Sequence, residues 1–324
     1  MTDNAPGHPL NDAAGLGEDA ADERDSNAFA LRVLWTGTAE ARDLARVLGE
    51  GVAHQAGTNV VASCVKARAT LLVAPAITSF ELCSMAVPYG FTSSKTRLVV
   101  AAVGGGPHTL LAAHLAHRLS RQLGVPAFAV CGYGPSGLRA EAEGVLAEIA
   151  DRLPDLAVQA VQTPRPAAIV EGLPAGTLVV VGAPGGNWLE RRFFGPGARI
   201  RARAPDGVIV VKQAPTRVFQ IMRPAVAFEP NMSASDAVVL SGDRHVIVAH
   251  GERLVGIAPL HALQEAPAGA ELGEVAENPI FLIATQLTDH ASELVDRYGD
   301  DPIPVVDTGG RLVGAVTASA LAGP

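Results

Sequence analysis

The chain predicts an α/β protein in three parts: a doubly wound parallel five-stranded sheet over residues 97–213, a small α/β segment ahead of it over 29–95, and a duplicated hairpin unit behind it over 216–324. Three observations carry this. Between Arg97 and Val211, runs of Val and Leu alternate with helical stretches, as strands do when crossover helices cover both faces of their sheet. The strand Val179-Val-Val181 runs into glycines at Gly182, Gly185 and Gly195, spaced G-x2-G-x9-G. Arg253-Leu-Val-Gly256 returns as Arg311-Leu-Val-Gly314, a hairpin repeated at about sixty residues, which marks an internal duplication.

At 324 residues the chain is too long for one ordinary domain. Hydrophobic residues make up 48%, mostly Ala and Val, and aromatics only 4%, which suits tightly layered α/β packing. The net charge of −8 argues against general nucleic-acid binding. The longest apolar stretch, Thr70 to Phe91, is broken by Pro75, Glu81 and Pro88, so no membrane insertion is expected. No basic region precedes an apolar run near the N-terminus, so no secretory signal is expected. Three cysteines, Cys64, Cys83 and Cys131, are odd in number and widely spaced. They read as reduced thiols of a cytoplasmic protein rather than a disulfide framework or a zinc site. His114 and His117 stand three apart on a predicted helix, but nothing completes a metal set, so they read as helix surface and no metal is predicted.

Residues 1–28 are acidic and poor in bulky apolar residues, and predict a disordered tail. Leu31 to Trp35 predicts a strand, Ala39 to Gln55 a helix, Val60 to Ser63 and Thr70 to Val73 two strands, and Ser79 to Met85 a short helix. This segment reads either as a shortened α/β domain or as an extension of the following sheet. Residues 88–96 read as a linker. The main sheet then follows as strands at Arg97–Val103, Ala127–Cys131, Leu156–Val161, Thr177–Val181 and Val208–Val211, with helices at Pro107–Leu123, Gly137–Leu153 and Pro166–Leu173 and a turn of helix at Gly197–Arg203. In the duplicated unit each hairpin is preceded by a helix, Ala234–Leu240 and Asp289–Tyr298, and followed by one, Leu260–Gln264 and Ala318–Leu321. Single copies of this size bury little core, so the two copies should pack on each other.

A strand entering a glycine-rich turn and then a helix cradles phosphate, because glycine lets the backbone approach and the free N–H groups face the anion. Gly182, Gly185, Gly186, Gly195, Gly197 and Arg199 are therefore candidate phosphate contacts. Arg191, Arg192, Arg199, Arg201 and Arg203 cluster there, and read equally as an anion site or as a solvated helix face. Trp188, Phe193 and Phe194 lie in the same stretch, and read as packing or interface more than as base stacking.

On this strand order and glycine spacing, residues 97–213 resemble the universal stress protein domain. The resemblance implies a nucleotide site, with the strand-one loop Val103, Gly104 and Gly105 against the nucleoside and the glycine loop on the phosphates. Two departures stand out. Pro196 occupies the place where the ATP-binding branch has Ser or Thr, and no Asp follows strand one. Residues 216–324 resemble a tandem pair of CBS domains, on Val218-Phe-Gln-Ile-Met-Arg-Pro224, Ser233-Ala-Ser-Asp-Ala-Val238 and the two hairpins. Such pairs bind adenosine compounds in the cleft between repeats, which implies contacts at Thr317, Pro304 and Val305. The family's Gly-h-h-(Ser/Thr)-x-x-Asp pattern appears as Gly314-Ala-Val-Thr317-Ala-Ser-Ala320, with Ala for Asp, and as Gly256-Ile-Ala-Pro259-Leu-His-Ala262, with both polar residues lost.

Together these resemblances imply a cytoplasmic, stress-related regulatory protein that senses ATP, AMP or another adenine nucleotide, works as a homodimer, and has room for a protein partner. The other reading is a ligand-free dimeric scaffold with degenerate nucleotide sites. No Walker A sequence, H-E-x-x-H, G-x-S-x-G or Cys-x2-Cys is present, so no enzyme is predicted.

Overall fold

The structure, a computed structural model, describes residues 31–51, 53–134, 139–163, 167–183, 204, 207–241, 244–291, 299 and 301–321. The acidic tail 1–28, most of the glycine loop, the helical turn at Gly197–Arg203 and the end of the helix expected at Asp289–Tyr298 lie outside these residues.

One sheet of nine strands organises the first two thirds of the chain. Its strands are β1 (Val33–Trp35), β2 (Ala53–Gln55), β3 (Leu71–Val73), β4 (Ser84–Tyr89), β5 (Leu98–Val103), β6 (Ala127–Tyr133), β7 (Ala157–Gln162), β8 (Thr177–Gly182) and β9 (Val208–Lys212). The order is β2-β1-β3-β4-β9-β8-β5-β6-β7. Every neighbouring pair is parallel except β4 and β9, which run antiparallel from Met85↔Lys212 to Tyr89↔Val208. The five strands of 97–213 thus form the doubly wound block β7-β6-β5-β8-β9, and β1 to β4 of the first segment extend that sheet rather than folding apart from it. The extension repeats the winding of the block without a counterpart of β7. In each half the first strand pairs with the second on one side and with a returning strand on the other.

The helices are α1 (Ala39–Leu48), α2 (Val60–Ala67), α3 (Thr109–Leu123), α4 (Arg139–Arg152) and α5 (Ala167–Glu171). One face of the sheet meets α1, α3 and α4 through Leu44, Leu48, Leu115, Leu119, Leu146 and Ile149. The other meets α5 over the main block, where Val100, Val130, Val179 and Val181 pack with Val170.

Three expectations in the first segment are corrected. The helix expected to Gln55 stops at Leu48, because Glu50 and Gly51 take positive φ of 54° and 86°, and Ala53–Gln55 becomes edge strand β2. The strand expected at Val60–Ser63 is the start of α2, because the Asn59 side chain accepts from the Ala62 N–H at 3.0 Å and caps the helix. The helix expected at Ser79–Met85 is a connection followed by β4, which extends into the expected linker. β4 is buried at Met85, Ala86 and Val87, and its lateral pairing outweighs local preference.

The C-terminal unit holds two three-stranded sheets, β10 (Ala227–Phe228), β11 (Val246–His250) and β12 (Arg253–Ala258), and β13 (Leu282–Ile283), β14 (Ile303–Val306) and β15 (Leu312–Val316). Its helical segments are α6 (Val218–Ile221), α7 (Ala234–Ser241), α8 (Leu260–Glu265), α9 (Leu272–Val275), α10 (Thr288–Ala291) and α11 (Ala318–Leu321). The sheet face carrying Leu34, Leu72 and Met85 packs with α2 and with Val218, Phe219, Met222, Leu282, Val305 and Val316 in a single apolar cluster. Polar bonds frame the same junction. Arg32 Nη2 donates to Gln220 O at 2.5 Å, Arg68 Nη1 to Met222 O at 3.0 Å, and Gln220 Nε2 to Ala69 O at 3.1 Å. The first segment is therefore the adapter on which the C-terminal unit sits. Phe219, fully buried there, is the anchor. Phe219→Ala is expected to cost about 3–5 kcal/mol, measured by chemical denaturation, and to loosen the C-terminal unit first, measured by limited proteolysis.

Candidate functional site

Where the chain winds outward from β5 to β7 and then returns to β8 on the other side, the loops after β5 and β8 part. In open α/β sheets this switch point is where ligands enter. Here it forms a crevice lined by Ala102, Val103, Gly104, Gly106, His108, Thr109, Gly182 and Ala183. Val103 and Gly104 of the expected strand-one loop thus meet Gly182 of the expected phosphate loop. Gly105 is exposed beside them, outside the lining. Gly185, Gly186, Gly195, Gly197 and Arg199 lie outside the described residues, as do the other loop arginines and aromatics.

Local bonding shapes the mouth of the crevice. The Gly106 N–H donates to Gly104 O at 2.7 Å, and the Thr109 hydroxyl also donates to Gly104 O, so the turn folds back onto the start of α3. His108, just ahead of α3, is the residue that sequence reading missed. Its Nδ1 accepts from the Gln213 N–H at 3.1 Å, which places the proton of the neutral ring on Nε2. A Cβ at Gly182 would lie 3.0 Å from the His108 Cβ. The absent side chain at Gly182 therefore makes room for His108 as well as for backbone approach. The available signal was position, since His108 directly follows Gly104-Gly-Gly-Pro107.

At the matching switch point in the first half, the loops after β1 and β3 approach each other at Gly37 and Pro75. A Cβ at Gly37 would lie 3.0 Å from two ring atoms of Pro75.

His114 corrects another expectation. It is half-buried on α3 rather than on open helix surface, and its pKa is pushed down to about 4. Burial is the main cause, followed by repulsion from His117 and Arg152. The imidazole is neutral near pH 7.

In the C-terminal unit, each repeat's lead-in segment pairs with the other repeat's hairpin. Arg223, after α6, bridges Ala315 of β15, and Glu277, after α9, bridges Ile257 of β12. The crossing is close. A Cβ at Gly314 would lie 2.7 Å from Arg223 O, and one at Gly256 would lie 2.7 Å from Glu277 O. The shared Arg-Leu-Val-Gly glycine is thus required by cross-repeat packing. Between the repeats, buried His245 of the first bonds through Nε2 to Pro302 O at 2.7 Å and approaches Asp301 with Nδ1 at 3.1 Å. In the second hairpin Asp307 Oδ1 accepts from the N–H groups of Gly309 at 2.8 Å and Arg311 at 3.0 Å. Burial alone would raise its pKa, but these bonds and the Arg311 guanidinium hold it below the usual carboxylate range.

The three residues expected at the nucleotide cleft of this unit lie at the second hairpin and directly after it. Thr317 is half-buried ahead of α11, with its hydroxyl 3.0 Å from that of Ser319. Pro304 is buried opposite Ala315. The Val305 side chain is fully buried in the junction cluster.

No protein-family model matches the chain, and no curated protein matches it. Among solved structures it is similar to CBS-pair domains. The cytosolic domain of the Mg2+ channel MgtE in complex with ATP is 22% identical at a TM-score of 0.30, over 33% of this chain and 47% of that one. The chain thus spans about half the length of that structure. The CBS domains of a transcriptional regulator from Streptococcus pneumoniae are 16% identical at 0.31, over 33% and 98%. The CBS-pair protein CBSX2 from Arabidopsis thaliana is 20% identical at 0.30, over 34% and 93%. CBSX2 has also been solved in complex with AMP. Among the described residues no group of three or more His, Cys, Asp or Glu could hold a metal ion, and no helix is long and apolar enough to cross a membrane.

As pH falls from 6.5 toward 4, the unfolded chain takes up the His114 proton before the folded one does, so stability drops across that window. His114→Gln should flatten that part of a plot of Tm against pH. Gly314→Ala should cost about 1–3 kcal/mol in chemical denaturation through overpacking against Arg223, whereas Gly309→Ala, in the exposed turn, should cost less.

Proposed function

We propose that the chain is a cytoplasmic, stress-related regulatory protein that binds an adenine nucleotide, ATP or AMP, without turning it over, and that binding shifts the association of a homodimer with itself or with a protein partner. In this reading residues 97–213 are a universal stress protein-like domain and 216–324 a CBS pair. The observation that carries it is the crevice between β5 and β8. It brings Val103, Gly104 and Gly182 together at the switch point of a parallel sheet, and the phosphate-loop glycines follow directly in sequence. The strand order β7-β6-β5-β8-β9 and the cross-paired repeats support the two family readings.

Two observations favour the alternative, a scaffold with degenerate sites. His108 already packs against Gly182, and the first repeat has Pro259 where a hydroxyl would meet a ligand.

Calorimetric titration of the full chain with ATP, AMP and cyclic AMP separates the two. Nucleotide sensing predicts saturable heat for at least one of them and a raised Tm. Gly182→Val should weaken that binding at least about tenfold by closing the crevice against His108, with light scattering reporting the change in association. Absence of heat and of any Tm shift with all three nucleotides would leave the scaffold.

A further inference from the structure

The sequence presents three separate thiols, but the fold brings two of them together. Cys64 on α2 and Cys83 at the entry to β4 are both buried, with their sulfurs 4.0 Å apart. The third, Cys131, lies on β6 in a different cluster. The pair belongs to the junction cluster that includes Phe219 and Met222. Cys83 also ends the connection 75–82, which is largely exposed. That connection is held from two directions. Lys212 Nζ donates to Thr78 O at 3.3 Å and to Phe80 O at 3.4 Å. The Arg217 guanidinium, in the lead-in to α6, donates to Glu81 O at 3.2 and 3.4 Å. Whatever happens at Cys83 is therefore one short connection away from the docking of the C-terminal unit.

We propose that Cys64 and Cys83 are a dithiol that a peroxide converts to an intramolecular disulfide, which fixes the connection 75–82 and tightens the seat of the C-terminal unit on the sheet. Opening of the exposed connection admits the oxidant. The Cys64 sulfur attacks one peroxide oxygen, the O–O bond breaks, and a sulfenic acid and one water form. The Cys83 sulfur then attacks the Cys64 sulfur and expels the second water. Two thiols lose two electrons and hydrogen peroxide gains them, giving one disulfide and two waters. Either sulfur can donate in their 4.0 Å contact, and that contact holds the Cys64 thiol below its usual range against the opposing effect of burial, which suits Cys64 to the first step. Cys83 is raised by the same contact and by burial. A side-chain rotation must bring sulfurs now 4.0 Å apart to the bond length of about 2.05 Å.

The test uses the full chain treated with hydrogen peroxide, then unfolded, alkylated and digested with trypsin without reduction. The expected product joins peptides 47–66 and 69–95 and is two hydrogens lighter than their sum, with Cys131 alkylated. Hydrogen exchange at 217–223 should slow in the oxidised protein and stay unchanged in peroxide-treated Cys83→Ser, and reduction should restore it. Alkylation of Cys64 and Cys83 as free thiols, sulfinic acid at either, or a bond to Cys131 would overturn the site. A correct bond with unaltered exchange at 217–223 would overturn its effect on the junction.

Discussion

The antiparallel pairing of β4 with β9 is the constraint on which the rest depends. Without it, β9 would end the main block as a long apolar edge with unpaired N–H and C=O groups, the kind of edge that recruits other chains. Here β4 covers that edge within the same molecule over five residue pairs. The pairing also reverses the direction of the sheet at its centre, so the first half repeats the winding of the second turned end for end. It leaves β2 and β7 as the edges of a single sheet. Any homodimer must therefore use another surface than the β9 edge.

The same pairing sets the two faces of the first segment. Alternation along β4 sends Ala86 toward the α1 and α3 side and Met85 toward the C-terminal unit. Three-residue strands such as β1 and β3 bury too little to stand alone. They gain their core from α1 on one face and from Phe219 and its neighbours on the other. The segment therefore acts as a wedge between the wound sheet and the repeats, and the two cysteines lie within that wedge.

The main block was legible because its signals agree at every level. Strands of five to seven residues, rich in Val and Leu, alternate with helices of fourteen and fifteen, and glycine or proline punctuates them. The duplicated hairpins were legible from Arg-Leu-Val-Gly. The first segment was not. Val60-Val-Ala-Ser63 has strand propensity, but the Asn59 cap makes it a helix. Ser79 to Met85 read as a short helix, but Met85 begins the pairing of β4 with a strand more than a hundred residues later. The site was half legible. Val103, Gly104 and Gly182 were named from motifs, whereas His108 was not, because only the switch point sets it against Gly182.

The sequence by itself determined the winding of residues 97–213, the duplication behind it, and the positions where glycine lets backbone approach backbone. Periodicity and turn chemistry are local properties, and local properties can be read in order along a chain. Tertiary structure alone decided that residues 31–89 complete the sheet and that each repeat's lead-in crosses to the other repeat. It also decided that Val305 faces the core and that Cys64 meets Cys83. These are contacts between segments distant in the chain, fixed by which apolar faces remain to be covered once the local elements have formed. Composition names those faces but does not pair them.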